Sequence, residues 1–335
     1  MSGDQRAFDI YGLTVSVGGS WEEVIRGIDL DFAWFRSEAQ VEPKLMVEVE
    51  SDPVDLARFG DVPAASVGST SVVYRSPTHT ITDYQGRACS VMDHRRRRLS
   101  ILGEDPDLAY EAAHLAIKGA SLAQAEGRGL LPLHALGLAG AQGAVALLLP
   151  SGGGKSTMAA RAMASGTVRL LSDDAPLLDV AGRLHPFPLR VGWMTSGDRG
   201  NGVGPSNGAE VRSIGGRLKR MMDPLDDGWL EPAPTPLRHI VLGKRTLGPR
   251  STLRRADRSR AVRPLLQEAV LRVGVGQGVG YVLVERKAAP TLRKVGKLIR
   301  RMRICARGLR GASVWELTMG RDLERCWEAL APLLR

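Results

Sequence analysis

A chain of 335 residues, 43% of them apolar, is long enough to bury a sizeable core and to form two domains or one large one. No apolar run reaches the roughly eighteen residues of a membrane span. The first residues lack the basic start and apolar centre of a signal peptide, so none is expected. Cys89, Cys305 and Cys326 are few, odd in number and far apart. They exclude a disulfide framework or a cysteine metal site and lead to the expectation of a reduced, cytoplasmic setting. The net charge of +10 is unevenly spread: the first sixty residues hold twelve Asp/Glu against five Lys/Arg, and the positive excess lies later.

In chain order, the region to about residue 103 is expected to be mostly β. Phe8–Val17, Leu30–Phe35, Leu45–Glu50, Ser71–Arg75, His79–Asp83, Ala88–Asp93 and Arg98–Leu102 are short segments separated by Gly, Pro, Ser and Asp. The run Arg95–Arg98 is expected in or beside a solvated turn. A helix should follow, with Asp105 as N-cap and Pro106 in the first turn. Its apolar face would comprise Leu108, Ala112, Leu115, Ile117 and Leu122, ending near Gly127. Gly127-Arg-Gly129 is a plausible hinge, which gives an N-terminal β-rich α+β domain over 1–126 and a second domain over 127–335.

The second domain opens with Leu130–Leu138 and a turn at Gly140–Gly143. Ala144–Leu149 is an apolar run of the kind expected for a buried strand. A glycine-rich loop and a helix from about Ser156 to Ser165 follow, then a strand, Val168–Leu171, that runs into Asp173-Asp174. This order is the layout of a mononucleotide-binding unit. Residues 195–236 are expected to form a long loop. Pro290–Arg307 is expected to be a helix with an apolar stripe of Leu292, Val295, Leu298, Ile299, Met302 and Cys305. A strand, Ser313–Thr318, and a helix, Asp322–Leu334, close the chain.

The loop reads Pro150-Ser151-Gly152-Gly153-Gly154-Lys155-Ser156-Thr157. Consecutive glycines let backbone N–H groups turn inward without a Cβ in the way, which suits a phosphate chain. Lys155 can reach β- and γ-phosphates, Ser156 can place its hydroxyl on Mg²⁺, and the following helix offers its N-terminus to the same anion. Gly-Lys-Ser matches the end of the G-x-x-x-x-G-K-[ST] pattern, with Leu149 in place of its first glycine. The expected ligand is ATP with Mg²⁺, held by residues 151–157. Asp173 and Asp174 are placed to orient the metal or to take a proton from an incoming hydroxyl. On spacing alone, His134 reads as a structural histidine.

The stretch from Leu133-His134 to Asp173-Asp174 resembles the catalytic domain of the HPr kinase/phosphorylase family. That family carries a Val-His-Gly opening, a hairpin, a Gly-x-Ser-Gly-x-Gly-Lys-Ser loop, a helix ending in Gly, and a strand leading to an Asp-Asp pair. Here these are Leu133-His134-Ala135, Pro150–Ser156, the helix to Gly166, and Leu170-Leu-Ser-Asp-Asp174. The resemblance extends weakly to Val314-Trp-Glu-Leu-Thr-Met-Gly320. It implies a P-loop domain of the phosphoenolpyruvate-carboxykinase-like type and an ATP-dependent kinase acting on a serine of a peptide or small protein. By position Asp174 would be the general base, Lys155 the phosphate clamp, His134 a conformational or catalytic partner, and Ser156 and Asp173 metal ligands. Glu210-Val-Arg-Ser-Ile-Gly215 is similar to the family's Glu-Val-Arg-Gly-Leu-Gly signature, with Ser213 for Gly, and implies Glu210 as a further metal ligand. The family's divergent branch includes kinases of modified-peptide clusters, lasso peptides among them, and the family resemblance also implies a symmetric oligomer.

Two other classes compete. A nucleotide-dependent regulator or ATPase needs only Lys155 and Ser156. The segment Arg286–Arg310, with ten Lys/Arg and no acid, suggests nucleic acid or an anionic membrane surface, but it carries no aromatic residue for base stacking. Neither nucleic-acid binding nor stable membrane insertion is expected.

Overall fold

The first two strands, Arg6–Ile10 (β1) and Leu13–Gly19 (β2), close on Tyr11-Gly12, whose φ values of +53° and +76° are those of a tight I′-type turn. The computed structural model describes residues 5–39, 41–68, 70–150, 152–194, 210–214, 217–225, 228–267 and 291–335. Where one strand was expected over Phe8–Val17 there is thus a hairpin, fixed by Asp9 Oδ1 accepting the Gly12 N–H. The next expected strand, Leu30–Phe35, is replaced by a helix, Glu22–Asp31 (α1), and a 3₁₀ turn at Ala33–Phe35. Val24, Ile25, Ile28 and Phe32 are fully buried at helical spacing, and that longer pattern overrides the local apolar run.

The remaining strands of this unit are Leu45–Glu50 (β3), Ala64–Val67 (β4), Val72–Arg75 (β5), His79–Asp83 (β6), Ala88–Asp93 (β7) and Arg98–Gly103 (β8). They form one eight-stranded sheet in the order β1-β2-β3-β8-β7-β6-β5-β4. β3 lies parallel to both β2 and β8, and the other pairs are antiparallel. The arginine run occupies the β7–β8 turn as expected. Asp93 Oδ1 accepts the N–H groups of Arg95 and Arg96, and Arg98 pairs with Glu48.

Helix α2 covers Pro106–Gly127, and Asp105 Oδ1 accepts the N–H groups of Asp107 and Leu108 at 3.1 Å each. Its buried face matches the expected one only in part. Ala112 and Ile117 are buried as expected and are joined by Ala109, Tyr110, Ala113 and Ala116, while Leu108, Leu115 and Leu122 are only partly buried. Small side chains let the helix lie close to its neighbours, which a search for large apolar residues overlooks.

By internal contacts the described residues fall into two units. One holds the chain to Gln124 with the segment around Arg212; the other begins at Ala125, inside the last turns of α2. The second unit is built from Leu131–Pro132 (β9), Leu136–Gly140 (β10), Gly143–Leu148 (β11), Lys155–Ala164 (α3), Arg169–Ser172 (β12), Leu177–Leu178 (β13) and Arg183–His185 (β14). Val191–Met194 (β15) follows, and then Arg217–Met222 (β17); Val211–Ile214 (β16) lies almost wholly in the segment grouped with the first unit. Thr235–Arg245 (β18), Thr252–Ala256 (β19), Ser259–Leu266 (α4), Thr291–Gly311 (α5), Ser313–Met319 (β20) and Leu323–Leu330 (α6) complete the described elements, six α-helices among them. The long loop expected over 195–236 is corrected where it is described: β17 pairs antiparallel with β15, Val191 facing Met222. Residues 195–209 lie outside the described residues.

The main sheet runs β12-β10-β11-β18-β20-β19. β11, β18 and β20 are parallel, β10 runs against β11 and β12, and β19 against β20. Along β11 the side chains alternate. Val145 and Leu147 enter one core with Met158, Met163 and Trp327 of α3 and α6. Ala144, Ala146 and Leu148 enter the other with Leu265, Ile304 and Cys305 of α4 and α5. Both faces of the sheet are therefore covered, which is why this strand reads as an unbroken apolar run. The architecture is mixed α/β.

Helix α5 corrects the expected apolar stripe. Ile304 and Cys305 are buried, but Leu298, Ile299 and Met302 are 42%, 44% and 48% exposed. The packed face lies about one residue further round, where Arg301 is held by Glu126 at 2.6 and 2.8 Å. The side chains of Leu292 and Val295, and residues 286–290 of the basic segment, lie outside the described residues. All three cysteines are buried and free. No helix among the described residues is long and apolar enough to cross a membrane.

Candidate functional site

The strand directions gather several chain segments at one edge of the second unit's sheet. β11 and β12 both run antiparallel to β10, with Leu136 opposite Leu147 and Gly137 opposite Ser172. The loop leaving β11, the acids leaving β12 and the residues entering β10 must therefore meet. In open α/β sheets this edge, outside the carboxyl ends of the parallel strands, is where ligands bind.

The loop after β11 turns on its glycines. Gly152 and Gly154 have φ of +72° and +101°, a region costly for other residues. The Gly153 N–H bonds the Pro150 carbonyl at 2.8 Å, and a Cβ on Gly153 would lie 2.7 Å from that same oxygen. Gly154 is the N-cap of α3, so the free N–H groups of the helix's first turn open beside the loop. Ser151 lies outside the described residues. Thr157 sits in the first turn of α3, partly buried.

Lys155 is 8% exposed. Its ammonium folds back under the loop, donating to the Leu149 carbonyl at 3.0 Å and lying 2.9 Å from His134 Nε2. The same Nε2 is 3.1 Å from Asp174 Oδ1. One ring nitrogen thus stands between a cation and a carboxylate. With its lone pair it accepts from Lys155; with a proton it donates to Asp174; it cannot do both at once. Ser172 braces the aspartates, its Oγ accepting the Asp174 and Ala175 N–H groups at 3.4 and 3.0 Å. Ser156 Oγ donates toward Asp173 Oδ2 at 3.5 Å, a long contact at the limit of a hydrogen bond.

Lys155, His134 and Asp174 are therefore brought together, and Ser156 with Asp173 beside them. Glu210 is engaged differently. Its carboxylate pairs with Arg190, which is 8% exposed, and its carbonyl accepts the Met221 N–H. Among the described residues no three His, Cys, Asp or Glu side chains form a group that could hold a metal, so Glu210 does not join the aspartates in one. Ser156 and Asp173 offer two hard oxygen donors. That fits Mg²⁺, which is usually held by one or two protein oxygens with phosphates and water completing its shell.

One residue at this edge went unnoticed in the sequence. Arg245 ends β18, and its Nε donates to the Gly153 carbonyl at 3.1 Å. The only signal was an apolar run ending in Lys-Arg. Its relevance depends on β18 being the parallel neighbour of β11.

No family model matches this chain, and no curated protein matches it significantly.

Proposed function

We propose that this protein is an ATP- and Mg²⁺-dependent kinase that transfers the γ-phosphate to a serine hydroxyl of a peptide or small protein, a modified peptide of the lasso type being the favoured acceptor. On this reading the second unit is a P-loop domain of the HPr-kinase type. The observation that carries it is the placement of His134 Nε2 between Lys155 and Asp174, beside a loop whose glycines open onto the N-terminus of α3.

ATP supplies an activated phosphoryl group, and the bound metal offsets the charge on its oxygens. The chain's own residues do the rest. The Gly152–Gly154 backbone and the first turn of α3 present N–H donors to the phosphates, and Lys155 turns outward to them. His134 Nε2 can then donate to Asp174 Oδ1 and fix that carboxylate. Asp174 would take the proton from the acceptor hydroxyl as its oxygen attacks the γ-phosphorus and the bond to the departing ADP breaks, a role worth about 10²- to 10⁴-fold in rate. Ser156 and Asp173 would hold the metal.

The test is incubation with Mg²⁺ and γ-labelled ATP in the presence of candidate serine peptides, with Asp174→Asn and Lys155→Ala alongside. Label on a polypeptide, lost in both variants, is the expected result. Binding of nucleotide with no labelled acceptor would favour a regulator or ATPase. Transfer that survives Asp174→Asn would remove Asp174 as the base.

A further inference from the structure

Helix α5 divides lengthwise into three faces. At about 100° per residue, Ile304, Gly308 and Cys305 share one sector, which is buried against the second unit. A Cβ on Gly308 would lie 2.9 Å from Leu178 Cδ2, so the helix lies close on that side. Leu298, Met302 and Ile299 fall in the next sector, about 100° wide, and all three are exposed. Arg310, Arg303, Arg307 and Arg300 occupy the third and are exposed as well. From Thr291 to Gly311 the helix has eight Lys/Arg and no Asp/Glu. Helix α4 packs beside it on the same face of the sheet, with Ala261 and Leu265 entering the same core. Its outer side repeats the pattern, Val262 being exposed among Arg258, Arg260 and Arg263. Arg254 of β19 belongs to this face too, because strand residues alternate and Ala256, two residues on, packs against that core. Acids near these cations are engaged: Asp257 Oδ1 accepts the Ser259 N–H at 2.8 Å, and Glu316 lies 3.9 Å from Arg260. Among the described residues, Arg254, Arg263, Arg303, Arg307 and Arg310 make no ion pair.

We propose that α4 and α5 form a docking surface for an anionic lipid bilayer. Leu298, Ile299 and Met302 enter the interface, and the arginines beside them meet the lipid headgroups. A basic face by itself would serve any polyanion. Three large apolar side chains held in water on the same helix are a different matter, since they gain only where an apolar layer lies behind the negative charge. A bilayer supplies both layers, headgroups outside and acyl chains beneath, and a helix with an apolar sector beside a row of cations lies in that boundary. Nucleic acid fits less well, because neither α4 nor α5 carries an aromatic side chain on which a base could stack. The same face of a second copy fits less well again, because it would bring like charges together. No helix among the described residues is long and apolar enough to span the bilayer, so this docking is peripheral and reversible. It needs no nucleotide.

Flotation of the full chain with vesicles tests this. One set is phosphatidylcholine alone; the other contains roughly one-third phosphatidylglycerol, an anionic lipid. The wild type is compared with Arg303→Gln/Arg307→Gln and with Leu298→Ser/Met302→Ser. All four side chains are exposed, so both variants should keep the fold, and an unchanged urea midpoint checks that they do. The expected result is flotation of the wild type with the anionic vesicles only, weakening as salt is raised. The arginine variant should bind about tenfold or more weakly, and the serine variant about fivefold or more weakly. A wild type that stays behind with the anionic vesicles, or floats equally well with phosphatidylcholine, would overturn the proposal. So would a serine variant that binds like the wild type while the arginine variant does not: the face would then answer to charge alone, and a nucleic acid or an acidic protein would be its occupant.

Discussion

Gly154→Ala adds one methyl group at a position where two separate effects can be told apart. The backbone there has φ +101°, and holding an L-residue in that left-handed region costs about 1–2 kcal/mol. The new Cβ would also sit 2.8 Å from Arg245 Nη2, too close for a real contact. A flexible side chain yields, so Arg245 swings away and its 3.1 Å bond to the Gly153 carbonyl breaks. At an exposed position that bond contributes about 0.5–1 kcal/mol. Ala gains roughly 0.5 kcal/mol back through the lower entropy of its unfolded chain. The net expectation is a destabilisation of about 1–2.5 kcal/mol. Gly152→Ala, with φ +72° and nothing within 4 Å of its Cβ, should cost only the backbone part, about 1 kcal/mol. Urea unfolding followed by the fluorescence of Trp229, Trp315 and Trp327, which belong to or pack against the core behind the loop, reads these values. The decisive comparison is a double-mutant cycle with Arg245→Ala, in which Gly154→Ala should become cheaper by about 0.5–1 kcal/mol. Additivity within about 0.3 kcal/mol would refute the claimed contact between Arg245 and the loop.

Leu147 is fully buried in the face of β11 that meets α3 and α6, so Leu147→Ala should cost about 3 kcal/mol in the same unfolding assay, whereas Leu298→Ala, at a position 42% exposed, should stay within about 0.5 kcal/mol. His239 supplies a pH test: burial, with a smaller push from Arg238, holds its imidazole below the ordinary value, and its Nδ1 accepts the Trp315 Nε1–H at 3.2 Å. A histidine with a depressed folded pKa leaves the unfolded chain binding more protons. Stability should therefore fall as pH drops below about 6.5 and level off once the folded imidazole protonates. His239→Gln should make that part of the stability–pH profile shallower, and an unchanged slope would show that the ring does not contribute to it.

Where a pattern is local, the sequence already contained the structure. Asp105 caps α2 as its position implies, because an N-cap needs only a short side chain and the next few N–H groups. β6 and β7 fall on the expected residues, and the strand–loop–helix order around Lys155 follows from an apolar run, three glycines and a helix start. The strand expected at Leu30–Phe35, and the part of the loop expected over 195–236 that is β16 and β17, differ for a common reason. Whether a short apolar stretch becomes helix, strand or loop depends on which partner it finds, and α1 and the β15–β17 pair find theirs through packing and pairing across the chain.

The site divides along the same line. The glycines, Lys155, Ser156 and the aspartates could be named from their order, since a loop that wraps an anion is built from adjacent residues. The sequence could not decide that His134 Nε2 stands between Lys155 and Asp174, that Glu210 is held by Arg190, or that Arg245 lies on the Gly153 carbonyl. Those facts depend on two antiparallel pairings, on one parallel register and on where a distant segment lands. Strand order and register are properties of the whole sheet: sequence alone determined the chemistry available at this edge, and only the tertiary structure decided which groups share a proton and which are kept apart.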